Sequence, residues 1–434
     1  MDKRLMNVSL LGLSFMLVFT AFQTMGNIEK TILASIQNDY PTFTGDGYTS
    51  LSIIYVVFAL SNWVSPTIIS YAGSRMSMFV GACCYTLFLI SFLWPSTVLL
   101  YLMSVLIGFG ASIIWTGQGT YLTLNSDSTT MSRNSGIFWA LLQMSMFLGN
   151  TFVFFVLHDK SHVDESTRTL LFTVLSVVCF LGTLLFLLLR SPVSSEGTEN
   201  EQGIPLSIIN ELKNSVALFL TEDMCLLNMS FFFTGLHLSF YSGVYSSSIG
   251  FTKKIGPNSK QLVGLSGILI GVGEIIGGFL FSILGKKTTT TTEVESKGFS
   301  HSAVVALGFI VNIVAYGLIF INLPDDSPFQ DTDTISFIQP NQYIAIFCSF
   351  LLGFGDSCFN TQIYNVIGKK YSENSAPAMA LFKFMQSIAA ALSFFYSNLF
   401  GMYVQLTLLM ITLIMGTLSF FKVDKSLENR YKEY

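Results

Sequence analysis

Long apolar runs alternate with short polar segments along the whole chain, and their lengths predict the fold. A helix needs about 20 mostly apolar residues to cross a lipid bilayer. Twelve runs meet this length and predict twelve transmembrane helices: 6–33, 48–71, 76–94, 98–124, 136–157, 168–190, 224–249, 262–285, 301–322, 342–367, 375–399 and 402–421. The first run does not end in a small-residue cleavage site, so we expect it to be retained as a helix.

The composition changes this picture little and excludes several classes of protein. Hydrophobic residues make up 51% of the 434 residues and charged residues only 11%, whereas a soluble domain carries about 25% charged residues. We therefore expect an all-α integral membrane protein in contact with the lipid bilayer. The net charge of −4 argues against a nucleic-acid partner. All six cysteines lie inside apolar runs, so we predict no disulfide framework, no metal site and no cofactor.

Lysine and arginine are distributed unevenly between the segments that connect the runs. If the N-terminus is cytoplasmic, the inner segments hold 15 of the 22 basic residues and the outer segments hold six, with Lys383 inside a run. Cytoplasmic loops of membrane proteins are enriched in these residues. We therefore expect both termini in the cytoplasm, in a protein of either the plasma membrane or an endolysosomal membrane.

The spacing of the runs divides the chain into two halves. We expect six-helix bundles at 1–190 and 224–421, a cytoplasmic linker at 191–223 and a cytoplasmic tail at 422–434. The second part of the linker has apolar residues at helical spacing, which predicts an amphipathic helix on the membrane surface. These residues are Ile208, Ile209, Leu212, Val216 and Phe219.

A glycine-rich motif occurs once in each half. Gly108–Phe109–Gly110 precedes Thr116, and Gly353–Phe354–Gly355 precedes Thr361, with the same offset of 245 residues for both features. We therefore predict two pseudo-symmetric six-helix bundles. Transporters built from such repeats bind substrate near the bilayer midplane between the halves. We find no enzyme signature and no phosphate-binding loop, so any transport would be secondary.

Polar side chains inside the runs are the candidates for a functional site. They are costly in lipid and therefore turn toward the protein interior. The third, sixth, ninth and twelfth runs carry no acidic or basic side chain in their interiors, which predicts that eight helices share a polar interface. We predict ligand-binding or ion-binding roles for Gln23, Trp115, Gln118, His237, Glu274, Asp356, Asn360, Gln362 and Lys383.

Two acids are the principal candidates, and each has two interpretations. Asp356 lies about 20 Å along its helix, where it could be a proton, cation or substrate site, or part of a structural ion pair or a capped helix break. Glu274 could couple proton movement or could be a protonated acid that hydrogen-bonds a neighbouring helix. Lys383 either pairs with one of these acids or extends its ammonium group toward the membrane surface.

The remaining candidates carry weaker signals. His237 has no second histidine or cysteine at metal-ligand spacing, which favours a hydrogen-bonded histidine over a metal ligand. Trp115, Gln118 and Asn360 could line a cavity, while close helix packing explains the glycines around them. Glu29 and Lys30 end the first run and are expected at its outer rim.

Several motifs together resemble the Unc-93-like branch of the major facilitator superfamily. They are Gly110–Gly119 centred on Trp115, Ser135–Gln143, Gly149–Asn150, Gly353–Asp356, Asn360–Gln362, Ala21–Gln23, and Gly47–Ser50 with Tyr55. The resemblance implies twelve helices in two six-helix bundles. Members of the branch include potassium-channel regulators and a trafficking chaperone of innate receptors, so it also implies a possible membrane-protein partner.

Two functions remain open from the sequence. The first is a secondary transporter of a small solute, with proton or cation coupling through Glu274 and Asp356. The second is a transporter-shaped scaffold that escorts or regulates another membrane protein, such as a channel or receptor. The second hypothesis is motivated by Gly73–Ser74–Arg75, which stands where typical major facilitators carry an acidic residue and a run of arginines.

Overall fold

The structure, a computed structural model, describes residues 3–126, 130–160, 162–191, 216–284, 300–371 and 375–432. These ranges are almost entirely helical. The helices are α1 (Lys3–Asp39), α2 (Gly47–Ser61), α3 (Ser65–Ser91), α4 (Thr97–Leu124), α5 (Met131–Val156), α6 (Glu165–Leu187), α7 (Glu222–Phe251), α8 (Ser259–Leu284), α9 (His301–Asn322), α10 (Gln342–Lys370), α11 (Ser375–Ser397) and α12 (Met402–Lys432).

These helices confirm the predicted all-α membrane architecture. Eleven of the described helices are long and apolar enough to cross a bilayer, and only α2, with 15 residues, is shorter. Helices α1–α6 form one half and α7–α12 the other. With twelve crossings, the start of α1 and the end of α12 lie on the same face of the bundle, which we call the terminal face; the other is the opposite face. The predicted linker helix falls mainly on 192–215, outside the described residues, and the domain boundaries remain predictions.

The prediction of one continuous helix over 48–71 was wrong. Helix α2 ends at Ser61, and α3 begins at Ser65 with Pro66 in its first turn. Proline has no backbone N–H, so Pro66 cannot donate the helical hydrogen bond to the carbonyl oxygen of Asn62, which explains the interruption before α3. The second crossing therefore consists of α2 and the first two turns of α3. The chain then reverses at Gly73, where φ is 75°, a conformation that glycine adopts readily.

The glycine motif of the first half holds α4 against two neighbouring helices. A Cβ atom on Gly108 would lie 2.7 Å from the carbonyl oxygen of Ile54 on α2. A Cβ atom on Gly110 would lie 2.5 Å from the Cβ atom of Cys84 on α3. Only hydrogen fits at either position, so both glycines permit close helix packing.

The repeated motif on α10 makes the corresponding contacts in the second half. A Cβ atom on Gly353 would lie 2.1 Å from the carbonyl oxygen of Ile270 on α8. A Cβ atom on Gly355 would lie 2.5 Å from the side-chain oxygen of Asn312 on α9. Helices α8, α9 and α10 therefore correspond to α2, α3 and α4, and the repeat in the sequence is a repeat of helix packing.

We predict that Gly353→Ala lowers the thermal stability of the purified protein in detergent. The added methyl group meets backbone rather than a movable side chain, and overpacking of this kind costs about 1–3 kcal/mol. Gly368→Ala on the same helix is the matched control, because nothing lies within 4 Å of its added Cβ atom. Equal melting temperatures for Gly353→Ala and the unmodified protein would contradict this account of the α8–α10 contact.

Candidate functional site

Two buried carboxyl groups lie where the two halves meet. Glu274 on α8 is 8% exposed, and its Oε2 atom accepts a hydrogen bond of 2.8 Å from Gln143 Nε2 on α5. This bond crosses from one half to the other. Asp356 on α10 is also 8% exposed, and the two carboxyl groups are close enough to interact electrostatically. We call Glu274 and Asp356 the central carboxyl pair.

The surroundings of Asp356 satisfy only part of its hydrogen-bonding capacity. Asn360 lies one helical turn farther along α10 and donates to the Oδ2 atom of Asp356 at 2.8 Å. The Oδ1 atom is buried and has no hydrogen-bond partner among the described residues. Asn360 is therefore the one amide donor to this carboxyl group among the described residues.

Tyr241 on α7 interacts with both acids of the central pair. It lies in the segment Phe240–Tyr245, where α7 widens to a π-helix. Such single wide turns occur frequently at functional sites, because they shift the direction of side chains relative to a regular helix. Tyr241 was missing from the sequence prediction, since a tyrosine inside an aromatic-rich run gives no signal of a local π turn.

Lys383 lies near the central pair, and its side chain bonds within its own half. Its Nζ atom donates to the side-chain oxygen of Gln386 at 3.0 Å and lies 4.8 Å from the ring centre of Phe382. Among the described residues it makes no direct ion pair with either acid, although its charge acts on Asp356. Gln386 in turn donates to Thr234 on α7 at 3.3 Å, which holds the lysine inside the second half.

Aromatic rings connect the halves on the terminal-face side of the central pair. Trp115 on α4 stacks on Trp139 on α5, with ring centres 6.0 Å apart. Trp139 lies 6.0 Å from Tyr364 on α10, and Tyr364 lies 5.5 Å from Phe382 on α11. Trp115 was predicted as a cavity residue, and the structure places it at the beginning of this aromatic row.

The amide side chains of the first half lie among the same helices. Gln23 on α1 accepts a hydrogen bond from Ser145 on α5, the helix that also carries Gln143. Gln118 is buried on α4, three residues after Trp115. Gln143 ends the Ser135–Gln143 motif noted in the sequence but was not among the predicted site residues. Its partner across the interface depends on how α5 packs against α8, and the pattern of a single apolar run does not predict that packing.

Two predicted residues point elsewhere in the second half. His237 is fully buried, with Nδ1 2.7 Å from the hydroxyl of Tyr316 and Nε2 3.0 Å from the carbonyl oxygen of Leu352. This is the hydrogen-bonded histidine that the sequence favoured. Gln362 lies 2.7 Å from His301 on α9, so it faces that helix. No cluster of metal-binding side chains occurs in the part of the chain that the structure describes.

A polar cluster joins the halves at the opposite face. Lys30 pairs with Asp46 and donates to the side-chain oxygen of Asn398, which follows α11, at 3.2 Å. Asn398 donates back to Asp46 at 2.6 Å and to Thr49 at 3.2 Å. We call Lys30, Asp46, Thr49 and Asn398 the latch. Lys30 was expected at the outer rim of the first run, and the structure places it in a contact between the two halves.

Further contacts on the opposite-face side bring the halves together. Ser52 on α2 donates to the carbonyl oxygen of Ala391 on α11 at 2.9 Å. Asn27 on α1 donates to the carbonyl oxygen of Val263 on α8 at 3.0 Å. Hydrogen bonds therefore close the opposite-face end of the interface, while the contacts described on the terminal-face side are aromatic.

Comparisons with known proteins agree with this architecture. A model of the family described as "Ion channel regulatory protein UNC-93" matches residues 43–421. The chain is 42% identical to UNC93-like protein MFSD11 of Xenopus tropicalis over 99% of this chain and 98% of that protein. It is 27% identical to UNC93-like protein 3 of Arabidopsis thaliana, over 93% and 83% of the two chains.

Solved structures of transporters share the fold at low sequence identity. A crystal structure of peptide transporter POT with sulfate matches with a TM-score of 0.64 and 12% identity, over 96% of this chain and 95% of that one. A mutant of nucleoside transporter NupG matches with a TM-score of 0.61 and 14% identity, over 95% and 99%. The predicted major facilitator fold is confirmed, and the family match over most of the length shows that this chain belongs to the UNC-93 family.

Proposed function

We propose that this chain is a secondary transporter of a small solute, coupled to protons or another cation through Glu274 and Asp356. The observation that carries the proposal is the hydrogen bond between Gln143 and Glu274. Through this bond a buried acid of the second half contacts the first half directly. A change in the protonation of Glu274 would alter this bond and thereby the contact between the halves. That is the physical requirement for coupling ion binding to a movement of the bundles.

The charge balance around the central pair supports a mobile cation. An ionised carboxylate in a low-dielectric interior is stable only if a cation or several hydrogen bonds compensate its charge. Glu274 and Asp356 have one amide donor each, Gln143 and Asn360, and share the neighbouring Tyr241. If both acids were ionised, the positive charge of Lys383 would balance one of them, and one negative charge would remain. A proton or a bound cation would remove this excess, and its exchange with solvent would drive the cycle.

We predict that purified protein in liposomes catalyses solute uptake driven by an imposed proton gradient. Peptides and nucleosides belong in the solute panel, because POT and NupG are named as transporters of these compounds. Glu274→Gln and Asp356→Asn should each reduce gradient-driven uptake on the order of tenfold, since both remove an ionisable group at the interface. Asp333→Asn, on an exposed residue of the α9–α10 loop, is the matched control.

Two results would contradict the transport proposal. One is the absence of flux for every solute of a broad panel when insertion and folding are confirmed. The other is proton-driven flux that both central variants retain at the level of the Asp333→Asn control. Solute exchange measured without a proton gradient distinguishes loss of proton coupling from loss of solute transport. A variant that loses only coupling still exchanges labelled for unlabelled solute.

A second function, regulation or escort of another membrane protein, is favoured by the family description as an ion channel regulator. The sequence departure after the second crossing also supports it. Arg75 donates to Ser191 at 3.1 Å, a contact within the first half rather than between the halves.

We predict for this second function a stoichiometric membrane-protein partner after mild-detergent extraction from native tissue. Glu274→Gln should leave that complex intact, because Glu274 is buried inside the bundle and is not exposed to a partner. An extraction that yields the chain without a partner at comparable abundance would count against the scaffold function.

The orientation of the chain in the membrane is part of the same proposal. We infer from the distribution of lysine and arginine that the terminal face is cytoplasmic. A short epitope at either terminus should be accessible to antibody only after the cell membrane is permeabilised. An epitope in the α9–α10 loop should be accessible from the outer or luminal side, and the reverse pattern would overturn the orientation.

A further inference from the structure

Glu29 is a buried acid that the central site does not use. It lies on α1 immediately before Lys30 of the latch and is 0% exposed. Neither carboxyl oxygen has a hydrogen-bond partner within the described residues. Ser50 lies nearby on α2, but its hydroxyl is already paired with that of Ser104 at 2.9 Å.

The backbone packs closely above Glu29. A Cβ atom on Gly47 would lie 2.8 Å from the Cα atom of Lys30 and 3.2 Å from the carbonyl carbon of Glu29. The start of α2 therefore rests directly on this turn of α1. The carboxyl group of Glu29 is therefore enclosed beside the latch and has no contact with solvent in this arrangement.

The charged and titratable groups around Glu29 already have partners. They are Lys30, Asp46, Tyr48, Tyr101 and, farther along the interface, the ion pair of Lys260 with Asp331 at 2.6 Å. Lys30 and Asp46 neutralise each other. Tyr48 donates to the carbonyl oxygen of Pro328 at 3.1 Å, and Tyr101 accepts from the backbone N–H of Asp46 at 3.1 Å. A negative charge on Glu29 would therefore be in excess.

Asp46 remains ionised in this arrangement. Its burial alone would raise the pKa, but the charge of Lys30 and the hydrogen bonds from Lys30, Thr49 and Asn398 outweigh it, and the pKa of Asp46 is lowered. Near neutral pH the ion pair of the latch does not titrate through Asp46. Of Glu29 and Asp46, Glu29 is the acid whose charge has neither a cation nor a hydrogen-bond donor to compensate it among the described residues.

We propose that Glu29 is a second proton-binding site, distinct from the central pair, and that a proton bound there holds the latch closed. A neutral acid is tolerated in the closed, dry position, whereas an ionised carboxylate requires water and favours separation of Lys30, Asp46 and Asn398. Proton binding and latch closure are therefore linked thermodynamically. This adds a proton site to the proposed transport cycle, but it does not depend on any solute.

The test measures the distance across the latch with spin labels in lipid nanodiscs. Thr42→Cys and Leu399→Cys place labels on exposed positions of the two halves at the opposite face. Cys83 and Cys225 are first replaced by serine, because they are accessible to the label. The other four cysteines are buried and can remain. Between about pH 5 and about pH 9, the ratio of long to short distances should rise on the order of tenfold, because the closed form binds the proton more tightly.

Three variants make the outcome specific to Glu29. Glu29→Gln should keep the short distance at every pH, because it resembles the protonated acid. Glu165→Gln, on an exposed acid of the same face that accepts from Tyr40 at 2.9 Å, should retain the pH response. Asn398→Ala should give the long distance at every pH, because it removes the second-half side chain that bonds Lys30, Asp46 and Thr49 of the first half.

The proposal is overturned if Glu29→Gln titrates like the Glu165→Gln control, or if Asn398→Ala leaves the short distance unchanged. Glu29→Asp retains an ionisable group and should titrate, which separates loss of the acid from a folding defect. No step requires flux. A chain that transports nothing can therefore still confirm the second proton site, and a transporter can fail this test.

Discussion

Burial of carboxyl groups without cationic partners is the constraint on which the interface between the halves depends. Lipid offers no compensation for a charge, so each intramembrane acid must find it in protein, water or a bound proton. Gln143 on the opposite half compensates part of the charge of Glu274 through a hydrogen bond. Asn360 on the same helix does so for Asp356. Of these two bonds, the one that crosses the interface, Gln143–Glu274, therefore involves a titratable group.

Glycine determines how closely the helices that carry these acids approach their neighbours. Gly353 allows α10 to contact the backbone of α8, and Asp356 follows three residues later on the same helix. Because α8 carries Glu274, the close contact between these two helices also sets the separation of the two acids. The first half repeats the packing through Gly108 and Gly110 but has Ala111 where the second half has Asp356. The duplicated unit thus supplies symmetric packing and an asymmetric distribution of charge.

Much of the fold was predictable, because a bilayer demands long apolar helices and the runs have the required length. The interruption between Ser61 and Ser65 was missed, since the apolar run continues through it and only Pro66 marks it. Of the site, Glu274 and Asp356 were predictable as acids within apolar runs. The orientation of His237 and Gln362 toward α9 was not, because polar residues occur on several faces of these helices and do not define one buried direction.

The two ends of the interface differ in how much hydrogen bonding contributes among the described residues: Tyr48 and Tyr55 stack on Phe394 on the opposite-face side, but the latch adds hydrogen bonds there. At the opposite face, opening exchanges hydrogen bonds of Asn398 and Ser52 for bonds to water, which changes the free energy little per bond. On the terminal-face side, opening separates the rings of Trp139 and Tyr364 and exposes apolar surface. Apolar association weakens on cooling. Because only part of the opposite-face contact is apolar, we expect cooling to weaken the closure beside the aromatic row more than the closure at the latch.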